Sequence, residues 1–257
     1  MRIAALGTAL LGASAVVLGV VAPAAAPAAQ ADFAPAAHIG TPAAHANLLG
    51  GHGFNQNGYN WSGYAADSST YTSVSSSWTV PSVSCNSSSD LYAPWVGLDG
   101  YGSRSVEQTG VATDCSSGSP VSSGWYEMYP ASPIYYSTSS NPVRAGDHIT
   151  ASVNRTSSPD ANGDYTYTLK LTDSTQNWSK TTTKKYAGAN SSAEVIIESP
   201  PAAYPDFHSV DFTGSTVDGN SLSGANPTAL DAYSGSTQET TAGRLNGGDF
   251  SIAYDHE

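Results

Sequence analysis

Apolar and polar residues alternate with a period of two along most of the chain after Asn60. Because successive side chains of a β-strand point to opposite faces, this period predicts strands with one buried face. Clusters of Ser, Thr, Gly, Asn and Pro separate the runs, as is typical of turns. The clearest runs are 71–80, 125–129, 149–153, 165–171, 193–198 and 250–254. The sequence therefore predicts an all-β domain, most simply two packed antiparallel sheets.

The first 31 residues have the pattern of a secretory signal peptide. Arg2 gives a positive start, residues 3–21 are apolar or small, and Ala29-Gln30-Ala31 fits the small-x-small cleavage pattern. A membrane anchor is the alternative, but no basic stop signal follows the apolar run, which favours export without stable membrane association. Residues 32–57 show no strand pattern, so we interpret them as a leader or propeptide that is expected to be disordered. Residues 58–257 then form a single domain.

The composition is acidic and poor in charge, with 9 Lys and Arg against 21 Asp and Glu. Nucleic acids attract basic patches, so they are not an expected partner. Cys85 and Cys115 are the only two cysteines. In an exported chain they predict one structural disulfide, because a catalytic thiol would need a nearby histidine and neither cysteine has one in sequence.

The signature motifs of several hydrolase classes are missing from the sequence. There is no His-Glu-x-x-His, no Asp-Thr-Gly or Asp-Ser-Gly, and no Gly-x-Ser-x-Gly in the mature chain. A Ser-His-Asp triad on His148 or His208 stays open, because such triads are spatial rather than sequential. In the leader, His38, His45 and His52 recur every seven residues. They would suit a metal site or, more simply, a titratable segment.

Two stretches carry polar residues in a pattern that suggests chemistry. The first runs from Trp95 to Gly110 and contains Gln108, and the second is Ala193–Glu198. Within the second stretch, Glu194 and Glu198 share one strand face with Ile196. Carboxylates on an apolar face need a partner or a purpose, although a plain strand is the alternative.

These stretches, in their order along the chain, resemble the glutamic peptidases, also called eqolisins. The similarity extends from about residue 60 to past residue 212. The matching motifs are Asn60-Trp61-Ser62-Gly63-Tyr64, Trp78-Thr79-Val80-Pro81, Trp95-Val96-Gly97-Leu98-Asp99-Gly100, Gln108-Thr109-Gly110, Trp125-Tyr126-Glu127-Met128-Tyr129-Pro130 and Ala193-Glu194-Val195-Ile196. Two positions depart from the family pattern. Val195 stands where the family usually has Trp, which puts the pocket beside Glu194 in doubt, and Ala112 replaces an acidic residue of fungal members.

The resemblance implies a β-sandwich of the concanavalin or lectin-like jelly-roll type with Gln108 and Glu194 as the catalytic pair. We expect this pair on facing or adjacent strands, close enough to contact one water molecule. The resemblance also implies that five residues bind substrate: Trp95, Asp99, Trp125, Glu127 and Tyr129.

A glutamate can take a proton from water and pass it to the leaving amine, and a glutamine amide offers both a donor and an acceptor. The sequence therefore predicts a secreted, acid-acting endopeptidase. We expect a monomer that acts on protein or peptide substrates without a metal or organic cofactor. The alternative is a secreted carbohydrate-binding β-sandwich, which would account for the fold and composition but not for Gln108 and Glu194 in their motifs.

Overall fold

The computed structural model describes residues 55–256. The predicted signal peptide and residues 32–54 of the predicted leader lie outside the described residues. Within the described part, two large β-sheets form a sandwich. The front sheet contains nine strands: β1 (Gln56–Asn57), β2 (Trp61–Ala66), β4 (Leu91–Leu98), β5 (Val106–Asp114), β6 (Val121–Tyr129), β7 (Ile134–Tyr135), β8 (Pro142–Val143), β12 (Ala193–Glu198) and β15 (Thr228–Asp231).

The back sheet contains eight strands: β3 (Ser73–Thr79), β9 (His148–Arg155), β10 (Tyr165–Asp173), β11 (Trp178–Tyr186), β13 (Ser209–Val217), β14 (Asn220–Ser221), β18 (Thr240–Ala242) and β19 (Phe250–Tyr254). A small hairpin of β16 (Tyr233–Ser234) and β17 (Thr237–Gln238) and a 3-10 helix at Leu222–Ala225 complete the described chain. No helix among residues 55–256 is long and apolar enough to cross a membrane.

Strand order in the front sheet is β1-β15-β2-β12-β4-β5-β6-β7, and β8 also pairs with β6. In the back sheet the order is β11-β10-β9-β3-β13-β19-β18, and β14 pairs with β13. Among these pairs only β1 with β15 is parallel. The predicted all-β fold with two antiparallel sheets is therefore confirmed. The insertion of β12 between β2 and β4 matters most for function, because it carries Glu194 to the middle of the front sheet.

The main hydrophobic core lies between the two sheets. Alternate residues of the front strands, such as Val96 and Val195, meet Val153, Leu169 and Phe212 of the back strands, and all of them are buried. The alternation in the back strands reflects one face in this core and one face in contact with solvent. Four of the six runs with the clearest period of two, 71–80, 149–153, 165–171 and 250–254, fall on these strands.

A second apolar cluster covers the other face of the front sheet, which we call the outer face. Its largest members are Trp61, Trp95, Trp125, Ile196 and Leu230. Every residue of β2, β4, β5 and β12 is buried, so these strands are covered on both faces. Functional side chains on the outer face therefore lie in an apolar setting rather than in bulk water.

The predicted disulfide is confirmed: Cys85 and Cys115 are joined, with their Cα atoms 5.8 Å apart. It ties the segment before β4 to the end of β5. At the other edge of the front sheet, β1 lies inside the segment that was assigned to the leader and pairs with β15. Just before β1, the Asn55 side chain donates hydrogen bonds to Asp231 Oδ1 and to the Ala242 carbonyl, each 2.7 Å long.

Candidate active site

The outer face carries one row of paired residues that crosses six strands of the front sheet. Glu194 pairs with Gly97, Gly97 with Gln108, and Gln108 with Glu127. On the other side of Glu194 the row continues through Ala65 to Thr228. Directly paired residues of neighbouring antiparallel strands lie on the same face. Gln108 and Glu194 thus share a face, and β4 separates their strands. The expectation of facing or adjacent strands is wrong in this respect.

Gly97 lies on the intervening strand β4, directly between Glu194 and Gln108. Two strand spacings put the Cα atoms of Gln108 and Glu194 about 10 Å apart, which leaves room between their side chains. A Cβ on Gly97 would lie 3.2 Å from the Gln108 Cβ and only 2.7 Å from the Trp95 ring. The missing side chain therefore lets the Trp95 ring pack closely against the β4 backbone between Gln108 and Glu194.

Glu194 is fully buried, and its two carboxyl oxygens have different surroundings. Oε1 accepts a hydrogen bond from the Tyr101 backbone N–H at 3.2 Å. Oε2 makes no hydrogen bond of normal geometry within residues 55–256, although the nearby Ser192 hydroxyl acts to lower the pKa of the carboxyl. Burial, together with the charge of Asp99, raises the pKa of Glu194 well above its ordinary value.

Gln108 is also fully buried and has one bonded end. Its Nε2 donates a 2.6 Å hydrogen bond to Glu127 Oε2, while its Oε1 finds no partner in the described part of the chain. Burial, and then the charge of Glu198, raises the pKa of Glu127 to about 9. Gln108 Oε1 and Glu194 Oε2 are thus two acceptors, on either side of Gly97, that a molecule with two O–H donors would satisfy.

Asp99 directly follows β4 and has a left-handed conformation with φ of 67°. Its Oδ2 accepts from the Asn190 backbone N–H at 2.7 Å, and its Oδ1 accepts from the Ser191 backbone N–H at 2.8 Å. Both oxygens therefore hold the loop that leads directly into β12 and Glu194. This geometry fits a residue that positions the loop, and the substrate-binding role implied by the resemblance stays a prediction.

The remaining predicted residues come together on the outer face. Trp95 pairs with Ile196 and with Gly110, and Gly110 pairs with Trp125. A Cβ on Gly110 would lie 2.3 Å from the Pro94 carbonyl oxygen, so the close packing at this point needs glycine. Tyr129 follows two residues after Glu127 and packs against the same apolar cluster. Glu198 shares this face and accepts a hydrogen bond from Asn60 Nδ2 at 3.1 Å.

The contacts of His148 and His208 do not fit a Ser-His-Asp triad. His148 Nδ1 lies 3.1 Å from Thr79 Oγ1, and His208 Nδ1 lies 3.1 Å from Asp206 Oδ1. Neither ring is hydrogen-bonded to a serine hydroxyl among residues 55–256, and neither lies on the outer face of the front sheet. In the same part of the chain, no group of three or more His, Cys, Asp or Glu side chains is arranged to hold a metal ion.

Comparison with protein families supplies the observation that decides the assignment. The model described as the Peptidase A4 family matches residues 59–254, which is most of the chain and nearly all of its described part. The chain belongs to the peptidase A4 family. It is a glutamic endopeptidase, so the carbohydrate-binding alternative is set aside. A comparison with curated proteins found no match.

Solved structures of eqolisins resemble this A4 peptidase in fold. Scytalido-glutamic peptidase, solved with a peptide-based transition-state analogue, is 26% identical with a TM-score of 0.64, over 77% of this chain and 99% of that chain. SCP-B, solved with the tripeptide Ala-Ile-His, is 23% identical with a TM-score of 0.59, over the same shares of both chains. Aspergilloglutamic peptidase from Aspergillus niger is 25% identical with a TM-score of 0.52, over 65% of this chain and 99% of that chain.

Two features of the site of this glutamic peptidase were missed by the sequence analysis. Val195, where the family usually has Trp, lies in the core between the sheets, on the strand face opposite to Glu194. The backbone N–H of Tyr101 and the close packing of Trp95 over Gly97 were not singled out by the motifs. Glycine next to Leu98 and Asp99 was visible in sequence, but its place between Gln108 and Glu194 depends on strand register.

Proposed function

We propose that this peptidase cleaves peptide bonds with Gln108 and Glu194 as its catalytic pair and an activated water as the nucleophile. One observation carries the proposal. Two buried acceptor atoms, Gln108 Oε1 and Glu194 Oε2, belong to residues on either side of Gly97 on one face, and neither makes a hydrogen bond of normal geometry within the described chain. A water that donates one O–H to each atom would satisfy both.

In the proposed reaction, Glu194 acts as the base and then as the acid. Its Oε2 takes a proton from the water as the water oxygen attacks the scissile carbonyl, and it then passes this proton to the leaving amine. Gln108 Oε1 accepts the other hydrogen of the water. The second N–H of its amide, the one not bonded to Glu127, stabilises the oxyanion. One such donor contributes about 2.7–4 kcal/mol to lowering the barrier.

Action in acid is part of the proposal, and two groups of carboxyls affect it in opposite directions. Glu194 must be ionised to act as a base, and its raised pKa means that the rate rises with pH at the acid end. The decrease in activity towards neutral pH comes from loss of the folded state. Glu107 and Glu127 are held protonated, with pKa values of about 10 and about 9, so folding becomes less favourable as pH rises. We expect activity to decline together with the folded fraction.

Export and processing also belong to the proposal. Residues 1–31 have the sequence of a signal peptide, and the disulfide suits an oxidising exterior. We further propose that residues 32–54 are removed after export. Expression of the full chain in a secreting bacterial host, with N-terminal sequencing of the product in the medium, tests both points. A product that retains residue 1, or that stays in the cell, would contradict them.

The test of the catalytic pair compares three variants of the mature protein on an internally quenched peptide that the wild type cleaves. Glu194→Gln keeps the shape but cannot accept the proton, and Gln108→Ala removes the acceptor and the oxyanion donor. We expect kcat to fall by about 100-fold or more in each, as for the loss of a single oxyanion donor. Glu198→Gln keeps the oxygen that accepts from Asn60, so it should retain most of the activity.

Circular dichroism and melting temperature should show that all three variants are folded. If Glu198→Gln is inactive while Glu194→Gln is active, the base has been assigned to the wrong carboxylate. Activity in both Glu194→Gln and Gln108→Ala would refute the proposed mechanism.

A further inference from the structure

Glu127 makes the hydrogen bond that defines the orientation of Gln108 in the site. The two residues are paired on neighbouring strands β5 and β6, and both side chains are buried to 1% exposure or less. The 2.6 Å bond from Gln108 Nε2 to Glu127 Oε2 is the only side-chain hydrogen bond of this amide within residues 55–256. The orientation of Gln108 thus depends on one partner.

The orientation of the amide matters because its two ends have opposite hydrogen-bonding character. A half-turn about the last side-chain torsion exchanges the donor Nε2 with the acceptor Oε1. A buried glutamine with no partner at either end has little to distinguish the two states. An acceptor on the β6 side fixes Nε2 there, and Oε1 then points away from Glu127, towards Gly97 and Glu194.

We infer that Glu127 is a positioning residue, which holds the Gln108 amide so that Oε1 faces the reacting water and one N–H remains for the oxyanion. This inference rests on the proposed function of Gln108 and Glu194. It assigns to Glu127 a role different from the groove lining that the family resemblance implies.

The charges around Glu127 explain how it plays this part in acid. Glu198 on β12 acts on it through its charge, Gln108 faces it from β5, and Glu194 lies further along the same row on β12. Burial and the nearby Glu198 raise the pKa of Glu127 to about 9, so its carboxyl is neutral in acid. A neutral carboxyl keeps a carbonyl oxygen that accepts from Gln108. Glutamine has the same shape and the same acceptor, so it should replace Glu127.

The two roles for Glu127 predict different kinetics. If Glu127 binds substrate, its loss raises KM while kcat is retained. If it positions Gln108, its loss lowers kcat, because the water and the oxyanion donor are misplaced only in the transition state, while KM changes little. If Glu127 has only a structural role, its loss lowers the melting temperature and has no selective effect on kcat or on KM.

The experiment measures kcat, KM and melting temperature at acid pH for wild type, Glu127→Ala, Glu127→Gln and Asp173→Asn, with the same quenched peptide. We expect Glu127→Ala to lose about 10- to 100-fold in kcat, as for a misplaced catalytic group, with KM nearly unchanged. Glu127→Gln should restore kcat. Asp173→Asn is the matched control: Asp173 is also a fully buried carboxyl with its pKa raised by burial, but it lies on β10 of the back sheet, so its kcat should stay at the wild-type level.

A rise in KM with unchanged kcat in Glu127→Ala would overturn the inference in favour of substrate binding. Failure of Glu127→Gln to rescue a folded enzyme would also overturn it. These outcomes are separable from failure of the proposed function itself, which Glu194→Gln reports. An active Glu194→Gln refutes the mechanism, whereas an inactive Glu194→Gln with a fully active Glu127→Ala refutes only the positioning role.

Discussion

Gly97 is the residue whose lack of a side chain has the most direct consequence for catalysis. It lies between Glu194 and Gln108 in one row, and a Cβ there would lie 2.7 Å from the Trp95 ring and 3.2 Å from the Gln108 Cβ. Both distances are shorter than ordinary contacts. The glycine therefore allows the Trp95 ring to lie against β4 beside the proposed catalytic pair.

Gly97→Ala should abolish most of the activity. The added methyl group would displace Gln108 or Trp95, and overpacking of this kind costs about 1–3 kcal/mol of folding free energy. Measurement of kcat and of urea unfolding checks both effects. Gly224→Ala is the control, because a Cβ on Gly224 meets no atom within 4 Å. Wild-type kcat in Gly97→Ala would show that the close packing of Trp95 and Gln108 against β4 is not needed for activity.

At the scale of elements, two loops meet where the catalytic strands begin. Asp99, in the turn between β4 and β5, holds Asn190 and Ser191 of the loop before β12 through two backbone N–H donors. Two residues further along the same turn, the Tyr101 N–H binds Glu194. The turn and the loop therefore position Glu194 together.

Asp99→Asn tests this coupling. An asparagine offers only one acceptor oxygen, so one buried N–H loses its partner, at a cost of about 1–3 kcal/mol in unfolding free energy. We expect lower stability together with lower kcat. Asp218→Asn is the matched control, since Asp218 accepts the Thr72 and Ser73 N–H groups through one oxygen, in the back sheet. If kcat falls equally in both variants, Asp99 has no special link to Glu194.

The elements also show what the sequence alone can predict. The alternation of residues 165–171 and 250–254 predicted β10 and β19 because these strands have one core face. Edge strand β11, Trp178–Tyr186, escaped prediction because most of it is Ser, Thr and Lys exposed at the margin of the sheet. The motifs identified Gln108 and Glu194. Their separation by β4 and the bond from Gln108 to Glu127 could not be predicted, because register between distant strands is set by tertiary packing.

At the scale of the whole molecule, the stability depends on pH because several carboxyls are buried in their neutral form. Burial, with Asp99 next, raises the pKa of Glu107 from 4.5 to about 10, and burial with Glu198 raises that of Glu127 to about 9. Between pH 4.5 and these raised pKa values, Glu107 and Glu127 keep their protons in the folded state but lose them in the unfolded chain. The stability from these groups is therefore full below pH 4.5 and decreases as pH rises from there towards 9 or 10.

Melting temperatures of the mature protein between pH 4 and pH 8 should thus decrease with pH, by about 2–4 °C for each kcal/mol lost in a domain of this size. Glu107→Gln cannot ionise, so its decrease should be smaller. Asp160→Asn is the control, because Asp160 is exposed, pairs with Lys185, and has its pKa lowered mainly by that hydrogen bond. Its titration falls below this range. An identical slope in wild type and Glu107→Gln would exclude Glu107 as a source of acid stability.

The alternation along β6 has a practical consequence for engineering. Trp125, Glu127 and Tyr129 face the site, while Tyr126 and Met128 face the core between the sheets. If Tyr129 binds substrate, as the family resemblance implies, cleavage specificity and core stability depend on interleaved positions of the same short segment. A mutant library at Tyr129, which is only partly buried against the outer cluster, can then search for new peptide preferences while the core between the sheets is unchanged.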